Sequence, residues 1–179
     1  GESGLIRRLR ARVTEHSLKH SASIGGGLFP LILDIGDDTA AWDTGNGAEL
    51  WTTDTLVEGV HFDLDTANAE ELGWKALAVN LSDIAAMGGE PLFALVTLGV
   101  PKYTQVEWVD GLYEGLLECS ASFGGRIVGG DLVSSPIAFV TVALTGFARH
   151  ELMIRSRARP GERLAVTGSL GTSNAGFLA

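Results

Sequence analysis

Four acidic clusters stand at the ends of apolar runs: Asp34-Ile-Gly-Asp37-Asp38, Thr52-Thr53-Asp54, Asn80-Leu-Ser82-Asp83 and Gly129-Gly130-Asp131. Carboxylates are hard oxygen donors that suit Mg²⁺, and Mg²⁺ in turn suits the phosphates of a nucleotide. The chain has no G-x-x-x-x-G-K-[ST] loop, so a nucleotide would be held through Asp-bound metal, backbone amides and an arginine.

Taken singly, an Asp after a strand is most often a turn residue or a helix cap, because its side chain accepts backbone hydrogen bonds. The company of these aspartates points further. Asp37 and Asp38 are adjacent carboxylates that repel unless a cation or hydrogen bonds lie between them, and Gly36 lets the backbone approach a ligand. Thr52-Thr53-Asp54-Thr55 closes a strand with three hydroxyls around one carboxylate, a grouping able to offer several oxygens to a metal. Asn80 and Asp83 are three apart and share a helix face, where an unpaired buried Asp would be costly. Gly129-Gly130 places amides within reach of phosphate oxygens beside Asp131; the plainer reading is a tight turn.

Other residues are read more plainly. His61 is more often structural than ligand-binding in such a setting, Arg155 opens a basic stretch that reads as a solvated linker, and Tyr113 and the four tryptophans read as core or interface residues. Cys119 reads as buried and inert, and as the single cysteine it excludes an intrachain disulfide. There is no Ser-His-Asp order, zinc spacing or dinucleotide fingerprint.

The elements that must position these groups follow from periodicity. Residues 3–15 form an amphipathic helix with Leu5, Ile6, Leu9 and Val13 near one face. Gly25-Gly26-Gly27 reads as a loop within Ser21–Pro30. Strands are expected over Leu31–Asp34, Glu49–Thr55, Leu92–Val100, Arg126–Val128, Ile137–Phe147 and Arg163–Thr167, and helices over Glu70–Met87 and Gln105–Phe123. The alternation lacks a strict βαβ period, which predicts an α/β chain of mixed α+β character, a mixed sheet packed with helices. A further helix begins at Ser173 and reaches Ala179 without a cap, which implies more protein beyond it.

In 179 residues, 45% are hydrophobic and 20% charged, as in a globular protein with a proper core, and the formal net charge is −9. That charge argues against a broad nucleic-acid-binding face and favours cations. The apolar stretches are shorter than the ~20 residues that span a bilayer, and a reduced cytoplasm is the expected location.

Five ordered segments now come together: Gly36-Asp37-Asp38, Thr52 through Phe62 (TTDTLVEGVHF), Gly73 through Gly88 (GWKALAVNLSDIAAMG), Val128-Gly-Gly-Asp131 and Arg155 through Gly161 (RSRARPG). They resemble the thiamine-monophosphate kinase family, within the superfamily of aminoimidazole ribonucleotide synthetase. The resemblance implies an N-terminal ATP/Mg-binding and dimerisation domain over residues 1–148, then a linker and the truncated start of a second domain over 149–179. Two such N-terminal domains would form a β-barrel across a homodimer, with ATP and several Mg²⁺ ions beside the interface.

By the same resemblance, Asp38, Thr52, Thr53, Asp54, Asp83 and Asp131 are metal ligands. Gly130, Asp131, Arg155 and Tyr113 contact ATP, and His61 contacts thiamine monophosphate. The implied reaction is direct in-line transfer of the γ-phosphoryl group of ATP to the acceptor phosphate, giving thiamine diphosphate; positioning and charge neutralisation do most of this work, and no catalytic side chain is implied. The chain departs from the family pattern at Arg157, where glycine is common, and in its shortened second domain, so these residues alone are expected to bind nucleotide and dimerise with weak or absent turnover. The competing readings are another ATP-dependent member of the superfamily and a non-catalytic nucleotide-binding, dimerising module.

Overall fold

The computed structural model describes residues 2–20, 30–64, 66–166, 168–172 and 176. In chain order the elements are α1 (Glu2–His20), β1 (Leu31–Leu33), β2 (Ala40–Asp43), β3 (Ala48–Val57), α2 (Ala69–Ala86), β4 (Glu90–Val100), α3 (Val106–Phe123), β5 (Arg126–Ser134) and β6 (Phe139–Ala148), followed by a 3₁₀ turn at Arg155–Arg157. The six strands form one mixed sheet in the order β1-β2-β3-β6-β4-β5. Only β4 and β5 pair in parallel; the other neighbours are antiparallel. The expected mixture of sheet and helices is therefore present, and in the single chain the sheet is open, with β1 and β5 at its edges.

Strict alternation in β6 buries Val140, Val142 and Leu144 on one face while Phe139, Thr141, Ala143 and Thr145 stay half-buried on the other. Helix α2 lays Leu72, Ala76, Leu77, Leu81 and Ile84 on the buried face, and each Leu or Ile side chain contributes roughly 1.5–3 kcal/mol when fully removed from water. Its start is fixed by Asn68, whose side chain accepts the Glu70 N–H at 2.9 Å.

Helices α2 and α3 pack against each other through reciprocal glycines. A Cβ on Gly73 would lie 1.9 Å from the Leu112 carbonyl oxygen, and one on Gly115 would lie 1.8 Å from that of Glu70. Glycine is required at both positions because backbone meets backbone there.

Several boundaries differ from the sequence expectation. Strand β5 does not stop at Val128 but runs to Ser134, so Gly129-Gly130-Asp131 lies inside a strand instead of in a turn after it. Pairing with β4 overrides the low strand propensity of the glycines. Thr52-Thr53-Asp54 likewise sits in the middle of β3. The short β2 was not anticipated, and the helix expected over 3–15 extends over Glu2–His20.

Residues 163–166, expected in a strand, have none: Leu164 and Val166 are exposed, and no neighbouring strand pairs with them. The expected loop at Gly25-Gly26-Gly27, the end of the last strand at Thr167 and most of the helix from Ser173 lie outside the described residues.

Candidate functional site

Strand β3 and helix α2 meet at a single side-chain hydrogen bond, in which the Thr52 hydroxyl donates to Asp83 Oδ2 at 2.7 Å. Alternation along β3 places Thr52 and Asp54 on the helix-facing side with Leu50 and Leu56. Asp83 thus stands beside the Asp54 and Asp38 carboxylates. Burial, opposed by the Thr52 hydrogen bond and reinforced by those two carboxylates, pushes the Asp83 carboxyl above its ordinary value, while the nearby Arg155 charge pulls it down.

The Asp37-Asp38 turn forms the other wall. The Asp38 N–H donates to Asp37 Oδ1 at 3.0 Å, and the Arg155 N–H donates to Asp37 Oδ2 at 3.3 Å. The Arg155 guanidinium pairs with Asp38 Oδ1, and its Nε lies 3.9 Å from Asp37 Oδ1. The Asp38 hydrogen bond and charge raise the Arg155 pKa above its ordinary value. Asp38 and Arg155 together border a cleft of about 630 Å³, also lined by Arg157, Arg159 and Glu162.

Asp38, Thr52, Asp54, Asp83 and Arg155 are therefore brought together, whereas Thr53 and Asp131 face elsewhere. Thr53 points to the opposite side of β3 and donates to the Val142 carbonyl at 3.0 Å. Asp131 lies on edge strand β5 in register with Thr97, which pairs with Thr141, which pairs with Thr55. Three strand spacings, about 14 Å, separate Asp131 from β3 within one chain. Its Oδ1 accepts the Leu132 N–H at 2.9 Å. Gly130 beside it has φ +153°, and a Cβ there would lie 1.8 Å from the Val96 carbonyl oxygen. Tyr113 is half-buried on α3 against the hydrophobic core.

His61 follows β3 in a tight loop. The Val57 N–H donates to His61 Nδ1 at 3.1 Å, which leaves the imidazole proton on Nε2. Lys75 Nζ donates to the His61 carbonyl at 3.1 Å, and both residues line a cavity of about 550 Å³ with Phe62, Asp63 and Glu71. Glu58 braces the loop by accepting the Ala138 N–H at 2.7 Å.

Lys75 and Glu58 escaped the sequence reading although both stand inside quoted motifs. Arg10 lies on the helix expected to be amphipathic and has no local signature of a partner, yet it pairs with Asp34 at 2.9 Å.

The donor set suits Mg²⁺, which takes an octahedron of hard oxygens and keeps several of its waters. Two buried side-chain oxygens lack a hydrogen-bond partner among the described residues, Thr39 Oγ1 and Asn80 Oδ1. Thr39 adjoins Asp38, and Asn80 precedes Asp83 by one helical turn. No three His, Cys, Asp or Glu side chains among the described residues converge as a finished metal cage. These oxygens would suit a hydrated Mg²⁺ that takes its remaining ligands from outside the protein.

Known proteins resemble this chain in sequence and fold. The family profile described as AIR synthase related protein, N-terminal domain, matches residues 36–149. The thiamine-monophosphate kinase of Bacillus subtilis is 41% identical over 180 aligned residues, covering 98% of this chain and 51% of that protein. The thiamine-monophosphate kinase of Aquifex aeolicus is 39% identical, covering 80% and 46%. Among solved structures, AaThiL complexed with AMPPCP and TMP matches with a TM-score of 0.67 and 38% identity, over 70% of this chain and 40% of that one. The chain spans about half the length of the curated relatives it matches. It belongs to the AIR synthase related family, whose N-terminal domain occupies most of its length.

Proposed function

We propose that this chain is the nucleotide- and metal-handling part of an ATP-dependent thiamine-monophosphate kinase. The observation that carries the reading is the nearness of the Asp38 and Asp54 carboxylates to the hydrogen-bonded Thr52–Asp83 pair, beside Arg155, in a chain similar to kinases of that name and to a structure holding AMPPCP and TMP. Asp38, Thr52, Asp54 and Asp83 would hold Mg²⁺. When bound, the metal supplies charge neutralisation for the transferring phosphoryl group.

The chain's own groups do the positioning. Thr52 fixes the Asp83 carboxylate, Arg155 offers a fork of N–H donors to nucleotide phosphates, and the Nε2–H of His61 is free to donate to the acceptor. An acceptor phosphate is already anionic, so in-line attack needs no strong base and no phosphoenzyme.

The outer face of the sheet supports pairing with a second copy, since Trp51, Phe93, Leu95 and Val128 are exposed there or at its rim. A homodimer closed over that face, as a barrel, would bring Thr53, Gly130 and Asp131 of one copy toward the nucleotide of the other. That arrangement reconciles their proposed roles with the strands that separate Asp131 from Asp54 in a single chain.

The test is a single-turnover reaction with γ-labelled ATP, Mg²⁺ and thiamine monophosphate, on this chain and on Asp54→Asn. Label entering thiamine diphosphate with the parent and not the variant supports the reading. Transfer to a different acceptor only, or Mg²⁺-independent transfer, overturns it. Mg²⁺-dependent ATP binding without transfer favours the binding, dimerising module.

A further inference from the structure

We infer that Arg155 holds the place of a metal ion on Asp38 and thereby makes Mg²⁺ entry depend on the nucleotide. The inference rests on the metal and nucleotide reading above and adds a selectivity that the reading does not contain.

The two sides of the ion pair differ in exposure. The Asp37 and Asp38 side chains are only 10% and 18% exposed, whereas that of Arg155 is 70% exposed. The carboxylates are shielded from solvent and retain a need for positive charge, whereas the guanidinium is the exposed, hydrated partner. Asp34, the nearest carboxylate upstream, already has Arg10. Arg155 is thus the cation that answers Asp37 and Asp38 together.

The contact also excludes a competitor. The guanidinium sits on Asp38 Oδ1, so a divalent cation taking that oxygen would meet a positive group at contact distance. Free Mg²⁺ must therefore expel Arg155 into water. A nucleotide changes the balance, because its phosphates present a more highly charged acceptor that the planar guanidinium engages through two parallel hydrogen bonds.

Arg155 lies on an exposed 3₁₀ turn at the rim of the cleft that Asp38 also borders, so the side chain has room to exchange one anion for the other. Release of Asp38 and capture of phosphate then occur together. By linkage, Mg²⁺ and nucleotide each raise the affinity for the other.

The experiment is calorimetric titration of Mg²⁺ into the metal-free 179-residue chain without nucleotide, for the parent, Arg155→Gln and Arg155→Lys, with near-UV circular dichroism confirming that each is folded. The expected result is at least threefold tighter Mg²⁺ binding by Arg155→Gln, parent-like binding by Arg155→Lys, and the reverse order for Arg155→Gln when ATP is added with the metal. Binding by Arg155→Gln alone supports the inference as well. Equal or weaker Mg²⁺ binding by Arg155→Gln, with the parent still binding, overturns the place-holder and leaves the metal site standing. Absence of Mg²⁺ binding in every variant, with or without ATP, overturns both.

Discussion

The Thr52 hydroxyl and the Asp83 carboxylate, 31 residues apart in sequence, meet at 2.7 Å and tie the middle of β3 to the last turns of α2. This is where the sheet and the helix layer exchange a charge-assisted hydrogen bond in place of an apolar contact. Thr52→Val keeps the shape and removes the donor. A hydrogen bond to a charged group contributes about 1.5–3 kcal/mol to stability, so urea unfolding should show a loss of that order, and Mg²⁺-dependent ATP binding should weaken because the Asp83 carboxylate loses its anchor. Calorimetry on the variant checks this, and unchanged affinity would dissociate Thr52 from the site.

Asp83 predicts a pH dependence with a definite sign. Burial, ahead of the neighbouring carboxylates, raises its folded-state pKa above the 3.8 of an ordinary Asp. The native state therefore holds this proton more tightly than the unfolded chain, and the contribution to stability is complete below 3.8 and lost as pH rises through the raised value. Asp83→Asn removes that loss. Without metal it should melt at a higher temperature than the parent at neutral pH, with the difference shrinking in acid, and it should gain less stability from Mg²⁺ and ATP. Thermal scans from acid to neutral pH measure both effects.

Gly130→Ala should damage the β4–β5 pairing. The added methyl group would lie 1.8 Å from the Val96 carbonyl oxygen on a backbone with φ +153°. Overpacking against backbone costs about 1–3 kcal/mol, occasionally more. Urea unfolding should show at least that loss, with hydrogen exchange rising first along Arg126–Ser134.

Leu95→Asp tests the outer sheet face. Leu95 is exposed and lies in register with Ala143, itself opposite Thr53. A carboxylate there should shift a dimer to monomer in sedimentation at micromolar concentration while circular dichroism stays unchanged. A dimer of unaltered stability would place the interface elsewhere.

His61→Ala should raise KM for thiamine monophosphate about tenfold or more in a chain able to turn over, and leave Mg²⁺-dependent ATP binding unchanged. The variant removes both the Nε2 donor and the Nδ1 that accepts the Val57 N–H, so a loosened loop adds to the loss of what Nε2 donates.

Elements are legible in the sequence where chemistry and periodicity coincide. Thr52-Thr53-Asp54 and Asp83 stood out because hydroxyls and carboxylates interrupt otherwise apolar elements, and α2 and α3 followed from their buried stripes. The sequence does not separate Thr52 from Thr53. That division depends on which face of β3 meets α2, a tertiary fact.

Local propensity ends β5 at Val128, because two glycines follow, whereas the parallel pairing with β4 continues through them. Residues 163–166 err in the other direction: their composition suits a strand, but no neighbour supplies the hydrogen bonds. The Arg10–Asp34 and Arg155–Asp38 pairs join segments 24 and 117 residues apart, and neither has a local signature.

The two glycines where α2 meets α3 set a mechanical reference for the site. Side chains between helices normally act as spacers, so a change in their volume alters the separation of the helices. Where Gly73 faces Leu112 and Gly115 faces Glu70, the spacer is the peptide backbone itself, whose thickness no substitution elsewhere can change. The helix that carries Asp83 is seated on that rigid stop. The spacing of α2 and α3 around Gly73 therefore stays fixed while side chains elsewhere in the core exchange bulk.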